Sequence, residues 1–190
     1  SFNIEFQEPW LLDTPNLIGG SFYYQETGQS IYSRLPFDQN RIGGSLTWGR
    51  KFKWPDTYFR GSWRLSTSKN SYLSSNKTDL LNPLYFGSKI EPYIDYNGSD
   101  YVFSNSGVSI SQIISRDSRN HPEFPTSGSS MNWTTTLSGS FLGGDEDYHK
   151  HVFELKWFSP LYEFKYGRNN KNISKFALFQ NMKVGVVKGI

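Results

Sequence analysis

Apolar and polar residues alternate along this sequence over runs long enough to dictate its secondary structure. In the first run Phe2, Ile4 and Phe6 share one parity, and the residues between them are polar. Such alternation places successive side chains on opposite faces of a strand, whereas a helix needs a period near 3.6 residues. The pattern predicts an all-β, antiparallel fold with eight strands, at residues 2–7, 18–25, 42–54, 59–66, 101–115, 131–141, 153–157 and 175–186.

The composition agrees with strands and limits the alternatives. Aromatic residues make up 17% of the 190 residues, and alanine, the best helix former, occurs once, at Ala177. No apolar run approaches the ~18 residues that a membrane-spanning helix needs. The mean hydropathy of −0.59 still allows a membrane barrel, because barrel strands alternate between lipid and lumen. The absence of cysteine excludes disulfides and thiolate metal sites.

Strand length and charge placement together favour a membrane barrel over a soluble sheet. Several runs reach about ten residues, longer than the ~5–6 of soluble sheets and close to the ~9–11 that cross a bilayer at a tilt. A charge facing lipid at mid-bilayer costs roughly 2–4 kcal/mol, while one facing a lumen stays hydrated. Arg50 shares the parity of Trp48, but it lies near a strand end, where arginine can reach the headgroups. The charges inside the strands lie on the polar parity: Glu5, Arg60, Arg64, Glu154 and Lys156.

The links between strands alternate in length. Short turns with proline are predicted at 9–16, around 54–56 and between 116 and 128, whereas longer polar links run over 26–40 and 68–100. Membrane barrels place short turns on the periplasmic side and longer loops outside. The link at 162–172 departs from this rule, because it is expected not to be short. Since the sequence begins and ends within strand patterns, we interpret residues 1–190 as a single transmembrane β-barrel segment, truncated at both ends and located in a bacterial outer membrane.

One predicted turn carries a distinctive sequence, Arg116-Asp117-Ser118-Arg119 followed by Phe124-Pro125-Thr126-Ser127-Gly128. Pro125 fixes its own φ and Gly128 can adopt a positive φ, so together they reverse the chain. Phe124 can pack under the barrel rim, and the charged residues can pair with one another or with neighbouring turns. We predict a rigid structural turn whose marker residues are Arg116, Asp117, Arg119, Phe124, Pro125, Thr126 and Gly128.

This segment resembles the Arg-Asp-x-Arg … Phe-Pro-Thr-x-Gly signature at a periplasmic turn of BamA-type outer-membrane barrels. Downstream, Phe141-Leu142-Gly143-Gly144-Asp145, Tyr148-His149-Lys150 and Phe158-Ser159-Pro160-Leu161 are similar to the two strands that follow this turn in the family. Upstream, Glu8-Pro9-Trp10 is similar to a strand end of the family. The resemblance implies that the chain corresponds to about the fourth through eleventh of sixteen strands, which is half of the barrel.

The resemblance also implies a function, which belongs to a larger parent protein. Members of the family fold and insert other outer-membrane proteins, are not enzymes and use no cofactor. The implied partners are outer-membrane lipids, unfolded outer-membrane protein clients and the lipoproteins of an assembly complex. The sequence lacks the family's POTRA domains, its first and last strands and a later Arg-Gly-Phe/Tyr loop motif, for which Phe59-Arg60-Gly61-Ser62 is no substitute because its Arg-Gly lies in a strand. The fragment alone is therefore not expected to insert proteins.

Three other functions stay open at this point. A related barrel that secretes or translocates proteins would show the same strand patterns. Eight strands can also close into a complete small barrel, which would serve as an adhesin or anchor. A soluble β-sandwich that binds a ligand is the third alternative.

The remaining polar residues give no sign of catalysis, metal binding or nucleic-acid binding. His149 and His151 would share a face with Asp145 and Asp147 nearby, but such residues at a loop edge are expected to be solvated. The acidic loop at 143–147 lacks the spacing of a calcium loop, so we expect a solvated hairpin. No serine is constrained to lie beside a histidine. Basic residues are interleaved with aromatics, but no nucleic-acid motif is present, and no nucleic-acid partner is expected.

Overall fold

The computed structural model describes residues 1–29, 35–166 and 172–189, and it is dominated by one antiparallel sheet. The strand order is β1-β2-β3-β4-β6-β7-β8-β9, with the short β5 paired to β6. The sheet is not closed, because β1 and β9 form its two edges and do not pair with each other. The strands are β1 (Phe2–Glu8), β2 (Asn16–Thr27), β3 (Asp38–Lys51), β4 (Phe59–Ser74), β5 (Ile94–Tyr96), β6 (Tyr101–Asp117), β7 (Gly128–Ser138), β8 (Tyr148–Tyr166) and β9 (Asn172–Gly189).

This architecture confirms the predicted all-β, antiparallel fold of about eight strands, since β5 adds only three residues beside β6. The open sheet does not support the alternative of a complete small barrel. The helical elements are short: α1 covers Lys77–Leu80, and 3₁₀ turns cover Leu11–Asp13, Ser88–Tyr93 and Ser140–Leu142. Across the described residues, no helix has both the length and the apolar character needed to cross a membrane.

The strand register places the two parities on opposite faces of the sheet. Residues paired across strands share a face, so Phe22 of β2 lies with Ile4 of β1, and Trp48 of β3 lies with Trp63 of β4. We call this side the apolar face, and many of its large side chains are exposed. The opposite, polar face carries Glu5, Arg60, Arg64, Glu154 and Lys156, as predicted from their parity.

Hydroxyl groups form a ladder across the polar face. Each of the four strand pairs from β2–β3 to β6–β7 contributes a hydrogen bond between side chains, and in β3–β4 Arg64 Nε donates to Thr47 Oγ1 at 3.1 Å. Such cross-strand pairs stabilise the register and keep a polar wall without charge burial. The hydroxyl pairs are Ser21 with Ser45 at 2.9 Å, Ser66 with Ser109 at 2.8 Å and Ser111 with Thr136 at 3.1 Å.

The apolar residues do not follow one line of register but shift from strand to strand. One row of paired residues is apolar near β1 and ends in a histidine and a lysine: Phe6, Gly20, Leu46, Leu65, Ile110, Leu137, His149 and Lys188. A second row begins polar and becomes apolar: Asn16, Arg50, Gly61, Ile114, Trp133, Phe153 and Val184. The apolar band therefore crosses the rows obliquely, as expected for strands that are tilted in a barrel wall.

Several strand ends differ from the predicted ones. β3 ends at Lys51 rather than at Trp54, and the bond from Phe52 N to Phe59 O is the last backbone contact before the turn. β7 ends at Ser138, and Phe141 lies in an exposed 3₁₀ turn that starts after Gly139, whose φ is 70°. The link predicted at 162–172 is shorter than expected, since β8 extends to Tyr166 and β9 begins at Asn172.

A bulge in β8 explains why its second half was not predicted. The register with β9 shifts between Pro160 and Tyr162, so the parity changes at this point. After the bulge the even-numbered Tyr162 and Phe164 lie on the same face as Phe176 of β9. The extra residue thus keeps aromatic side chains on the apolar face. Because it interrupts the alternation in the sequence, this part of the strand was predicted as a loop.

The loop between β4 and β5 folds over the polar face and forms a small aromatic core. Phe37 is 3% exposed and Leu80 is fully buried. Tyr72 of β4 packs edge-on against Phe37 and Phe86, with ring centroids 5.6 and 4.6 Å apart. This core closes the end of the sheet opposite the 118–127 turn, and the long polar link at 68–100 did not suggest it.

The acidic loop between β7 and β8 is also more ordered than a solvated hairpin. The Asp145 side chain accepts hydrogen bonds from Ser106 N and, at 3.0 Å, from Ser106 Oγ. Gly144 forms a β-bridge with Gly107 of β6, and Asp147 accepts a bond from Ser140 N. Asp145 therefore fixes the loop on β6, and Asp147 fixes the loop internally.

Candidate functional site

The predicted marker residues lie in the chain reversal between β6 and β7 and at the strand ends beside it. Hydrogen bonds from the backbone and from side chains hold this reversal. Ser118 N donates to Ser129 O at 2.9 Å, and Asn120 N donates to Ser127 O at 3.1 Å. The Asn120 carboxamide accepts bonds from the amides of Thr126 and Ser127, and it donates to Thr126 Oγ1 at 2.9 Å. Asn120 was missed in the sequence, although asparagine in a proline-containing turn commonly makes such bonds.

Gly128 is where the turn depends on glycine. Its φ is 100°, and a Cβ built there would lie 2.3 Å from Ser118 O and 2.9 Å from the Cα of Arg119. The conformation and the contact both exclude a side chain. The predicted positive φ at this position is confirmed.

Arg116 connects this turn to the turn between β3 and β4. Its side chain belongs to the apolar face, where Arg116 is paired with Phe59 and Met131. Arg116 Nε donates to Asp56 Oδ2 at 2.8 Å, and Nη1 donates to Ser118 Oγ at 2.9 Å and Ser129 Oγ at 3.1 Å. Its guanidinium also lies 5.6 Å from the centroid of the Tyr58 ring. The arginine thereby ties three strand ends together at the rim.

The pKa of Asp56 reflects this contact. Partial desolvation alone would raise the pKa of the carboxyl group, but the hydrogen bond and the charge of Arg116, with the backbone amides of Tyr58 and Phe59, hold it below its ordinary value. A carboxyl group whose pKa is lowered by folding stabilises the fold above its unfolded pKa, and this contribution disappears as the pH falls through the folded pKa.

Asp56→Asn is therefore expected to lower the unfolding midpoint at pH 7 and to have progressively less effect below about pH 4, the ordinary range of aspartate. The measurement is urea unfolding of the detergent-solubilised chain at pH 7, 4 and 2.5. Asp13→Asn is the control, because it makes the same charge change in a neighbouring turn without breaking an ion pair of the described residues. An Asp56→Asn effect that is equally large at pH 2.5 would contradict the ion pair as the cause.

Asp117 and Arg119 form a second, separate ion pair. Arg119 Nε and Nη2 donate to the two oxygens of Asp117 at 2.9 and 2.6 Å, in a bidentate arrangement. Arg119 Nη1 also donates to Pro122 O at 3.1 Å. Arg116 thus pairs with a neighbouring turn, whereas Asp117 and Arg119 pair with each other. Both kinds of pairing were predicted as possibilities.

Phe124 does not pack under the rim. Its side chain is 77% exposed, and its ring stacks on that of His121 with the centroids 6.0 Å apart. His121 Nδ1 accepts bonds from the amides of Glu123 and Phe124, which turns the phenylalanine outward. Pro125 and Thr126 complete the turn, and Thr126 is held by Asn120.

A polar cavity of about 390 Å³ lies beside this turn on the polar face. Its lining includes Arg60 of β4, Asp117 of β6, Asn132 of β7, and Glu154 and Lys156 of β8. Glu154 and Lys156 form an ion pair at 3.0 Å.

The described residues contain no group of three or more His, Cys, Asp or Glu side chains arranged to hold a metal. His149 and His151 share a face as predicted, with ring centroids 5.6 Å apart, and His151 bonds to Thr135. The polar cavity offers ion pairing and hydrogen bonding to a polar partner.

Comparisons with known proteins agree with this architecture. The chain matches the Omp85 superfamily domain over residues 1–186. Among solved structures it is similar to BamA from Haemophilus ducreyi lacking POTRA domains 1–3, with a TM-score of 0.64 and 17% identity. That alignment covers 99% of this chain and 33% of the BamA chain, so the present chain spans about a third of its structural relative. No curated protein matches the sequence.

At this level of identity the likeness to BamA concerns the fold: the open sheet matches part of that barrel. The family match rests on the sequence of nearly the whole chain. The chain belongs to the Omp85 superfamily.

Proposed function

We propose that this chain is a wall segment of an outer-membrane protein that folds and inserts other outer-membrane proteins. The observation that carries the proposal is the two-faced, obliquely banded sheet, which matches a BamA barrel over 99% of the chain. Its apolar face contacts lipid, and its polar face lines the lumen, where charged side chains stay hydrated. The chain works in this proposal as a scaffold, without a nucleotide or cofactor.

The turn at 118–127 has a structural role in this proposal. Arg116 fixes the ends of β4, β6 and β7, and Asp117, Arg119, Thr126 and Gly128 hold the turn through the contacts described above. In this proposal Phe124 and Pro125 only shape the turn. Interactions at this rim hold the register of several strands at once, so this part of the wall is expected to be rigid. Unfolded clients and assembly lipoproteins would be partners of the parent protein.

The test is depletion of the parent protein in the cells that produce it, followed by measurement of other outer-membrane proteins. If the parent inserts proteins, unrelated barrel proteins should lose their folded, heat-modifiable forms on gels within a few generations. Cytoplasmic and inner-membrane proteins should keep their levels, which controls for a general loss of viability.

A protein-translocating member of the superfamily gives a different result. Depletion would then leave the folded barrels at their normal level and remove one or a few exported proteins from the cell surface or medium. That outcome would overturn the insertion function and leave the wall architecture unaffected.

A further inference from the structure

A second cavity adjoins the polar cavity on the same face and gives it an apolar extension. Its volume is about 450 Å³, and its lining includes Trp10, Pro15 and Leu17. Gly49 forms part of its floor, where the lack of a side chain leaves space: a Cβ at Gly49 would already contact Leu17 at 3.4 Å. The two cavities share Lys51, Arg60 and Ser115, so they form one trough that is apolar at one end and polar at the other.

Two neighbouring cations lie where the cavities meet. Lys51 of β3 and Arg60 of β4 are directly paired in the register and are both exposed. Neither forms an ion pair within the described ranges 1–29, 35–166 and 172–189. The nearby carboxylates form their direct ion pairs with other residues, Asp117 with Arg119 and Glu154 with Lys156, and Asp117 attracts Arg60 only at longer range. Since like charges directly opposite each other destabilise a sheet, this pair favours an anion bound between the two side chains.

We propose that this trough binds an extended peptide segment in which a carboxylate side chain and an apolar side chain lie on the same side. The carboxylate would lie between Lys51 and Arg60, whose planar guanidinium suits bidentate contact with a carboxylate. The apolar side chain would enter the cavity beside Leu17. The inference concerns binding at the wall and holds whether the parent protein inserts or translocates proteins.

The polar end of the trough favours a peptide over a fatty acid. A single acyl chain would satisfy the apolar cavity and the cations but would leave the polar cavity, with its Asp117, Glu154 and Lys156, unoccupied. The lining reaches from β2 to β8, and neighbouring strands are ~4.8 Å apart, so the trough has the length of several extended residues. A peptide backbone also supplies donors and acceptors for Ser115, Ser130 and Asn132.

The binding test uses a seven-residue probe with blocked ends, acetyl-Ser-Phe-Ser-Glu-Ser-Asn-Ser-amide, and the same peptide with Gln in place of Glu. In an extended peptide its Phe and Glu side chains lie on one side. Titration calorimetry of the full chain in dodecyl maltoside at low salt should show at least about tenfold weaker binding of the Gln peptide. Equal affinity of the two peptides, or no binding of either, would overturn the proposal.

Variants of the chain locate the site. Lys51→Ala combined with Arg60→Ala should weaken binding of the Glu peptide at least about tenfold and leave binding of the Gln peptide unchanged. Arg64→Ala is the matched control: it removes a cation from the same face of β4, but Arg64 does not line either cavity. If Arg64→Ala weakens binding as much as the double variant, the attraction is a general one to the polar face.

Two further measurements keep the test decisive. Because the two peptides are compared on the unaltered chain, their difference does not depend on the folding of any variant. Dodecanoate, a single-chain carboxylate, is used as a competitor: weak competition is expected, and tighter binding than that of the Glu peptide would assign the site to fatty acids instead.

Discussion

Alanine at position 128 is expected to destabilise the folded chain by about 3 kcal/mol or more. The added Cβ would lie 2.3 Å from Ser118 O, and the neighbouring backbone is hydrogen-bonded to Ser129, so it cannot move away without opening the turn. The loss would appear as a lower midpoint of urea unfolding for the chain in detergent micelles. The ends of β6 and β7 should also become more accessible to protease.

The variant Gly98→Ala shows how much of the Gly128→Ala loss comes from the contact with Ser118 and how much from the positive φ. Gly98 has nearly the same φ, 99°, but a Cβ there meets nothing within 4 Å. Only the cost of a positive φ remains, about 1–2 kcal/mol. Equal losses for the two variants would show that the close approach to Ser118 is not what requires glycine at 128.

Arginine in place of Trp133 is the substitution with the largest expected effect on membrane integration. Trp133 is 46% exposed on the apolar face, where it is paired with Ile114 and Phe153 in the centre of the apolar band. A lipid-facing arginine near mid-bilayer costs roughly 2–4 kcal/mol, and the contacts of the indole ring are lost in addition. The measurement is the fraction of chain that is protease-resistant after refolding into phospholipid vesicles.

Thr134→Arg is the matched control, one residue along the same strand. Thr134 lies on the polar face, paired with Ile113 and Val152, so its arginine would remain hydrated. We expect Thr134→Arg to retain most of the integration that Trp133→Arg loses. A second pair, Leu137→Arg and Thr136→Arg, should repeat the contrast, and equal losses on both faces would contradict the assignment of the faces.

The sequence predicted which segments form strands and which face of the sheet each side chain occupies. Both depend on the alternation of apolar and polar residues within a segment. Glu5 and Arg64 lie on the polar face as their parity indicated, and Arg50 lies on the apolar face near a strand end. Strand ends were less predictable, because a strand stops where partners are lost rather than where the pattern changes. Beyond Pro160 the bulge reverses the parity, and only pairing with β9 identifies the second half of β8 as strand.

The candidate site was predictable only in its local parts. Gly128 and the Asp117–Arg119 pair follow from residues close in sequence. The partner of Arg116 does not, since Asp56 is 60 residues away and meets it only through the register of β4 with β6. The cations Lys51 and Arg60 likewise become neighbours through pairing between strands.

The oblique path of the apolar band means that depth in the membrane, rather than position along a hydrogen-bonded row, decides which substitutions a site tolerates. Leu46 and Lys188 lie in one row, yet the first lies within the band and the second beyond it. Evolution can therefore place a lysine on this surface without harm at one edge of the sheet and not a few strands away. Sequence variation among relatives should run diagonally across the wall, in parallel with the bilayer surface.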